Sequence, residues 1–310
     1  MKNILGYYYN IYPMEISHTN DKYFFEYNDD KYIFETYKRP LEDINALYDV
    51  NKKMLNKNIL VSEMILNNES EILTNINNKP YLLTKVKMNI DSNINLYDIY
   101  NINVNTISLE CNKILDRNDW TNLWESKNDY FEFQINEIGS KYKIVSEYLN
   151  YYIGLAENAI SYVKDAIKIN DDVRLCISHK RIRYNDTVYS LYNPVNYIYD
   201  YFVRDICEYI KSVFFIDKKR AYYLVVNLFN NFSLTYKEAL LFYGRLLYPS
   251  YFFDMYDDIV NGLKEESKIE GIITKSCEYE IFLQDVYIYI SKLYNDYIPS
   301  VDWIIKRSFN

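Results

Sequence analysis

The sequence predicts an α+β fold in two lobes, a small antiparallel-sheet lobe followed by a larger, mostly helical one. Three observations carry that expectation. Short alternating runs fill much of the first hundred positions. Apolar residues recur at helical spacing over most of the remainder. Gly and Pro, six of each in 310 residues, are too scarce for the many tight turns of an all-β chain. The length exceeds what one small core needs. A hydrophobic content of 49% with 25% charged residues is that of an ordinary globular chain and excludes a disordered one.

The first lobe is expected at 1–87. Residues 23–27 and 31–37 read as strands around the Asn28-Asp29-Asp30 turn, whose residue types tolerate positive φ. Pro40 suits the first turn of a helix, and Leu41, Ile44, Leu47, Tyr48, Met54 and Leu55 continue that helix at the right spacing to about residue 57. Three more strands are expected at 59–66, 71–76 and 79–86. The polar, Asn-rich stretch 88–105 reads as a connector, which leaves 106–310 as the large lobe. There an apolar stripe runs from Val145 to Ile167, and 171–190 interrupts it with short β-like pieces. Helical spacing resumes over 203–214 and continues at 219–231, 235–248, 250–264 and 278–295. Trp120, Trp124, Tyr130 and Phe133 read as one buried face.

Charge and composition narrow the partners. The net charge of −8 argues against nucleic acid, whose phosphates need a basic face. No apolar run approaches the roughly 18 residues of a membrane span. Residues 1–10 have no leader-like apolar core, so a cytoplasmic protein is expected. Cys111, Cys176, Cys207 and Cys277 are far apart and read as reduced thiols, and two histidines exclude a multi-His zinc site. No metal site is expected. The 37 tyrosines accompany many Asn, Ile and Lys, all with AT-rich codons, so they are not read as a stacking platform.

The residues that could carry chemistry follow a definite order. Lys38 closes the second hairpin strand. His179 opens a loop containing Lys180, Arg181, Arg183 and Asp186. Asn193 lies in Leu191-Tyr192-Asn193-Pro194, and Arg204-Asp205 opens an amphipathic helix bearing Val203, Ile206, Cys207 and Ile210. Lys180, Arg181 and Arg183 form a basic cluster in an acidic chain and are candidate anion ligands, because the planar Arg fork matches phosphate or carboxylate oxygens.

In this order the chain resembles the kinase-like phosphotransferases. Within them it is most similar to the spore-coat kinase-like proteins related to aminoglycoside phosphotransferase and choline kinase. The resemblance runs through 32–38, 41–55, 58–66, 80–86, 151–157 and 179–209, and it implies a protein-kinase-like fold. It would make Lys38 the phosphate ligand and Asn193 the hairpin metal ligand. The 179–186 loop would match H-x-D-x-x-x-x-N, whose Asp takes the substrate proton and whose Asn holds Mg²⁺. It would also make Asp205, beside Arg204, a structural anchor that hydrogen-bonds the backbone of that loop.

The departures are concentrated in the same places. No Gly lies between Gly6 and Gly139, so no Gly-rich loop covers the phosphates. Arg181 stands where Asp is wanted, Asp186 where Asn is wanted, and Asn193 where the metal-binding Asp is wanted. Glu42, Asp43 and Asp49 are the available partners for Lys38, and none has fitting spacing. An Arg about 4 Å from a bound cation opposes it by roughly 4 kcal/mol per unit charge at an effective dielectric of 20. No catalytic residue is therefore assigned. The expected protein is a pseudokinase that binds or scaffolds an unidentified protein or anionic ligand. The alternative is an active phosphotransferase, using ATP and Mg²⁺ on a small molecule, in which Asp186 or Asp200 takes over a missing role. A protein–protein interaction module is the third reading.

Overall fold

The computed structural model describes residues 1–88, 91–295 and 297–305. In chain order the elements begin with α1 (Lys2–Tyr9), β1 (Ser17–Thr19), β2 (Lys22–Tyr27), β3 (Asp30–Thr36) and α2 (Asp43–Asn56). Then come β4 (Glu63–Ile65), β5 (Leu73–Ile76), β6 (Lys79–Val86), α3 (Leu96–Thr106), α4 (Trp120–Ile138) and α5 (Lys143–Ile167). A hairpin-like pair follows: β7 (Leu175–His179), the short α6 (Val188–Leu191) and β8 (Tyr197–Tyr201). The rest is helical: α7 (Arg204–Phe214), α8 (Lys218–Asn231), α9 (Tyr236–Leu247), α10 (Ser250–Val260), α11 (Glu270–Ile273), α12 (Ser276–Ser291) and α13 (Asp302–Ile305). The fold is thus α+β, with a small antiparallel sheet and a larger helical region.

Contacts divide the chain into two compact units. One comprises Met1–Asp116 with Leu175–Asp200; the other comprises Arg117–Arg174 with Tyr201–Asn310. This differs from the single cut at 88–105 drawn from the sequence, because the chain returns to the first unit at β7. Nor is 88–105 simply a connector. Residues 89 and 90 lie outside the described residues, but 96–106 form α3, whose start is fixed by a capping box between Asn95 and Asp98. That Asn-x-x-Asp signal was in the sequence and competes well with its polar composition.

In the first unit the sheet runs β1-β2-β3-β6-β4, with β5 hairpinned onto β6 and every pairing antiparallel. Asparagine does the work that glycine does elsewhere. Asn28 and Asn77 sit at φ 50° and 51°, followed by Asp29 at 64° and Asn78 at 61°, as the two central residues of tight hairpin turns require. A glycine-poor chain can therefore still build a sheet. One sheet face, bearing Phe25, Phe34 and Leu83, is covered by Leu5 and Tyr9 of α1 and by Ile11. Neither α1 nor β1 was expected. The Tyr9 hydroxyl meets Thr74 Oγ1 at 2.8 Å. Asn51 of α2 is fully buried; it donates to the Ser62 carbonyl at 2.8 Å and accepts from Met64 N–H at 3.0 Å, which fixes α2 beside β4.

The second unit is packed largely by aromatic rings. Trp120 and Trp124 of α4 stack at 5.4 Å, Trp124 stacks on Tyr248 at 4.1 Å, and Phe131 stacks on Phe253 at 4.6 Å. Tyr130 and Phe133 are exposed, contrary to the sequence reading. The buried phase of α4 is 120, 124, 128 and 131, and 130 and 133 fall off that stripe. At the start of α9, Thr235 and Glu238 form a capping box, and Arg174 grips the buried Glu238 carboxylate with Nε at 2.8 Å and Nη2 at 2.6 Å. Among the described residues no helix is long and apolar enough to cross a membrane.

Candidate functional site

The loop residues singled out from sequence, together with Lys38 and Asn193, all lie in the first unit. Lys38 lies beyond the last residue of β3 and is exposed, with its Nζ 2.6 Å from Asp21 Oδ2. The three acidic residues considered as its partners are elsewhere. Asp43 is buried against Arg39, Asp49 pairs with Lys53 at the surface, and Glu42 precedes α2.

The residue that β3 does bury near its end is Glu35. Strand alternation sends Ile33 and Glu35 to the opposite face from Phe34. Glu35 is directly cross-strand from Lys22, whose Nζ lies 2.7 Å from Glu35 Oε2. Its other oxygen, Oε1, accepts from the Tyr189 hydroxyl at 2.9 Å and from Asn193 Nδ2 at 2.8 Å. Asn193 Nδ2 also lies 3.0 Å from the Tyr189 hydroxyl oxygen. The Tyr189 ring packs with Ile33, Val86, Phe24 and Met88, and Lys22 Nζ stands 5.1 Å from its centroid. Burial, and next the Glu35 charge, push the Tyr189 phenol well above its usual pKa, so it remains a neutral donor to that carboxylate.

His179 ends β7 and is buried. Its Nε2–H donates to the Leu191 carbonyl at 2.7 Å, and its ring meets Tyr197 edge-on at 5.4 Å. The following loop presents Lys180, Arg181 and Arg183 outward around the buried Ile182. Lys180 N–H donates to the Asn196 carbonyl at 2.9 Å. Asp186 closes a turn by accepting Arg183 N–H on Oδ2 at 2.7 Å, and burial raises its carboxyl pKa against that bond. Asn193 uses Oδ1 to cap the 3-10 turn Pro194–Asn196, accepting Val195 N–H at 3.1 Å. Both ends of its side chain are therefore engaged within this unit.

Sequence reasoning missed Glu35, Tyr189, Arg39, Lys22 and the placement of Asp200. The strand paired with β7 is β8, and the carboxylate it carries is Asp200, fully buried; Asn193 lies before β8 begins. The signal was the run Tyr197-Ile198-Tyr199-Asp200-Tyr201, an apolar strand carrying one acid beside its last residue. Among the described residues no group of three or more His, Cys, Asp or Glu is arranged to hold a metal ion.

These features meet a match along nearly the whole chain. Residues 2–286 fit the family described as "Spore coat putative kinase YutH". The chain belongs to that family. A curated YutH relative, the endospore coat-associated protein YutH of Bacillus subtilis (strain 168), is 25% identical over 211 residues, which cover 61% of this chain and 62% of that protein. The match thus spans less than two thirds of the relative's length. Solved structures share the fold at low identity. A spectinomycin phosphotransferase, APH(9)-Ia, in complex with ADP and spectinomycin aligns over 87% of this chain and 91% of its own, with a TM-score of 0.56 and 10% identity. An aminoglycoside phosphotransferase from Alicyclobacillus acidocaldarius subsp. acidocaldarius DSM 446 aligns over 90% and 93%, with a TM-score of 0.57 and 8% identity. A microcompartment-associated aminopropanol kinase covers 94% and 97% at 0.50 and 9%. The YutH-family chain therefore has the kinase-like aminoglycoside phosphotransferase fold.

In the second unit, Arg204 and Asp205 open α7, both buried, with Arg204 Nη1 donating to Asp205 Oδ1 at 3.1 Å. A carboxylate in the first turn also faces the positive end of the helix. Asp205→Ala is expected to lower stability by about 1.5–3 kcal/mol, the size of a charge-assisted hydrogen bond lost from a buried site. Asp205→Asn should cost less. Thermal melts check this; a melting temperature for Asp205→Ala equal to wild type would reduce Asp205 to an incidental helix-start residue.

Proposed function

We propose that this chain is a kinase-fold protein that has lost phosphoryl transfer and acts by binding or scaffolding. The observation that carries the reading is Glu35. In kinases the phosphate-binding lysine sits on the third strand of the sheet. Here the third strand buries an acid whose bonds are directed to Lys22, Tyr189 and Asn193. Lys22 already pairs with this carboxylate, so the position offers a phosphate an engaged acid where kinases offer a lysine. Arg181 in place of the proton acceptor and the absence of a Gly-rich loop support the same conclusion, because phosphoryl transfer depends on positioning and charge stabilisation. The relative's association with the endospore coat suggests where such binding would occur, with a coat protein or an anionic ligand at Lys180, Arg181 and Arg183 as the partner.

Calorimetry with Mg·ATP on the purified protein is expected to show a dissociation constant above about 1 mM, less than roughly 4 kcal/mol of binding. No metal-dependent ATP turnover should exceed the control without protein.

A second reading, an ATP-dependent phosphotransferase acting on a small molecule, draws on Asp200, the buried acid of β8. Metal-dependent turnover abolished by Asp200→Asn or Asp186→Ala would establish it in place of the first.

A further inference from the structure

We propose that Tyr189 is an internal occupant of a binding site on the Glu35 face of the sheet, so that the chain closes this site with its own side chain. The inference rests on the reading of Glu35 given above and extends it from a lost charge to a built-in plug. Tyr189 comes from α6, a four-residue helix in the segment that links β7 to β8. Its ring lies against Ile33 and Val86 with Phe24 and Met88 beside them, a slot of apolar side chains suited to a planar ring. At the end of that slot its hydroxyl meets Glu35 and Asn193, the polar groups that would otherwise orient a ligand. Apolar walls with a few convergent polar groups are what a small-molecule site consists of. The side chain that fills it is only 4% exposed.

Two barriers then face a nucleotide: the ring occupies the slot, and Glu35 engages Lys22 where a kinase would offer its phosphate-binding lysine. They predict different behaviour for different variants. Tyr189→Ala leaves an apolar cavity with an acceptor at its end, which should take p-cresol, a phenol matching the missing side chain, better than toluene, which has no donor for Glu35. Glu35→Gln alone should leave ADP excluded, because the ring remains. The double variant Glu35→Gln with Tyr189→Ala removes both barriers and should bind ADP at least about tenfold more tightly than wild type or Glu35→Gln, which is about 1.4 kcal/mol.

Calorimetry on the full chain, with circular dichroism to confirm folding, reads these differences. The plug is overturned if Glu35→Gln alone binds ADP as tightly as the double variant, or if the double variant takes p-cresol and still excludes ADP. It is equally overturned if a folded Tyr189→Ala prefers toluene to p-cresol or binds neither. Should Tyr189→Ala fail to fold, Tyr189→Leu keeps apolar contacts while withdrawing the hydroxyl, and the same ADP comparison with and without Glu35→Gln decides the matter. Failure of the plug leaves the loss of phosphoryl transfer standing. That reading fails instead on wild-type turnover of Mg·ATP, which none of these variants measures.

Discussion

Glu208→Ala is expected to destabilise the second unit by about 3–5 kcal/mol, the usual result of removing one member of a buried charge network and leaving the others behind. Glu208 of α7 lies 2.8 Å from Lys211 Nζ and 2.7 Å from Arg245 Nε, and it accepts from Ser250 Oγ at 2.8 Å. Lys211 is 2% exposed and also donates to the Tyr248 carbonyl at 3.0 Å and to Ser250 Oγ at 2.8 Å. Arg245 packs over the rings of Trp120 and Trp124 at 4.8 and 5.3 Å from their centroids. Without Glu208, two cations that are each less than a tenth exposed are left without the anion between them. Lys211→Met should cost much less, because Glu208 keeps Arg245 and an expensive buried ammonium disappears.

The same network has a pH signature. Burial pushes the Glu208 carboxyl up, but Lys211 and Arg245 outweigh it and hold the group well below its ordinary value of 4.5. The folded chain therefore binds this proton less readily than the unfolded chain. Its contribution is complete above pH 4.5 and declines as pH falls below that point. Lys211 runs the other way. Burial, opposed by Glu208, lowers its pKa from 10.5 to about 8, so between these values only the unfolded chain keeps the proton. On Lys211's account, stability rises with pH across that window. Urea melts at several pH values check both: wild type should lose stability in acid, and Glu208→Ala should lack that component. Equal acid sensitivity in the two proteins would place the titrating group elsewhere.

Arg39→Ala should destabilise the first unit by a similar amount, about 3–5 kcal/mol. Arg39 Nε and Nη2 reach Asp43 Oδ2 at 2.8 and 2.7 Å, and Nη1 donates to the carbonyls of Val195 and Tyr197 at 3.0 and 2.6 Å. One guanidinium thus ties the start of α2 to the entry of β8. Removing it leaves a buried carboxylate and two carbonyls without that donor, each carbonyl worth about 1–3 kcal/mol if left unsatisfied. Arg39→Lys should recover little, because a single ammonium cannot span both groups. Denaturant melts of the three proteins give the comparison, and an Arg39→Lys variant as stable as wild type would show that charge alone suffices. At the end of β3 it is Arg39, rather than the neighbouring exposed Lys38, that is buried.

The legible parts of the chain were those set by local pattern. The apolar alternation of β2, β3 and β6 and the helical stripe of α5 were read in place, because side-chain periodicity records which face is buried. The Asn28–Asp29 turn was visible for the same reason, since positive φ leaves a mark in residue type. α3 was missed because its stripe is weak and its polar residues resembled a linker. Tyr130 and Phe133 were misplaced because spacing gives a face only after the correct starting residue is known.

The sequence by itself determined the α+β order of elements, the kinase-like resemblance, and the absence of a Gly-rich loop and of an aspartate at the position held by Arg181. Only the tertiary structure decided what stands in their place. Glu35, Tyr189 and Asn193 are separated by up to 158 positions and meet because β3 and the β7–β8 connection are brought together. The hydrogen bonds that close this site depend on distances of about 3 Å between residues with no shared periodicity, and a one-dimensional pattern carries no record of such distances.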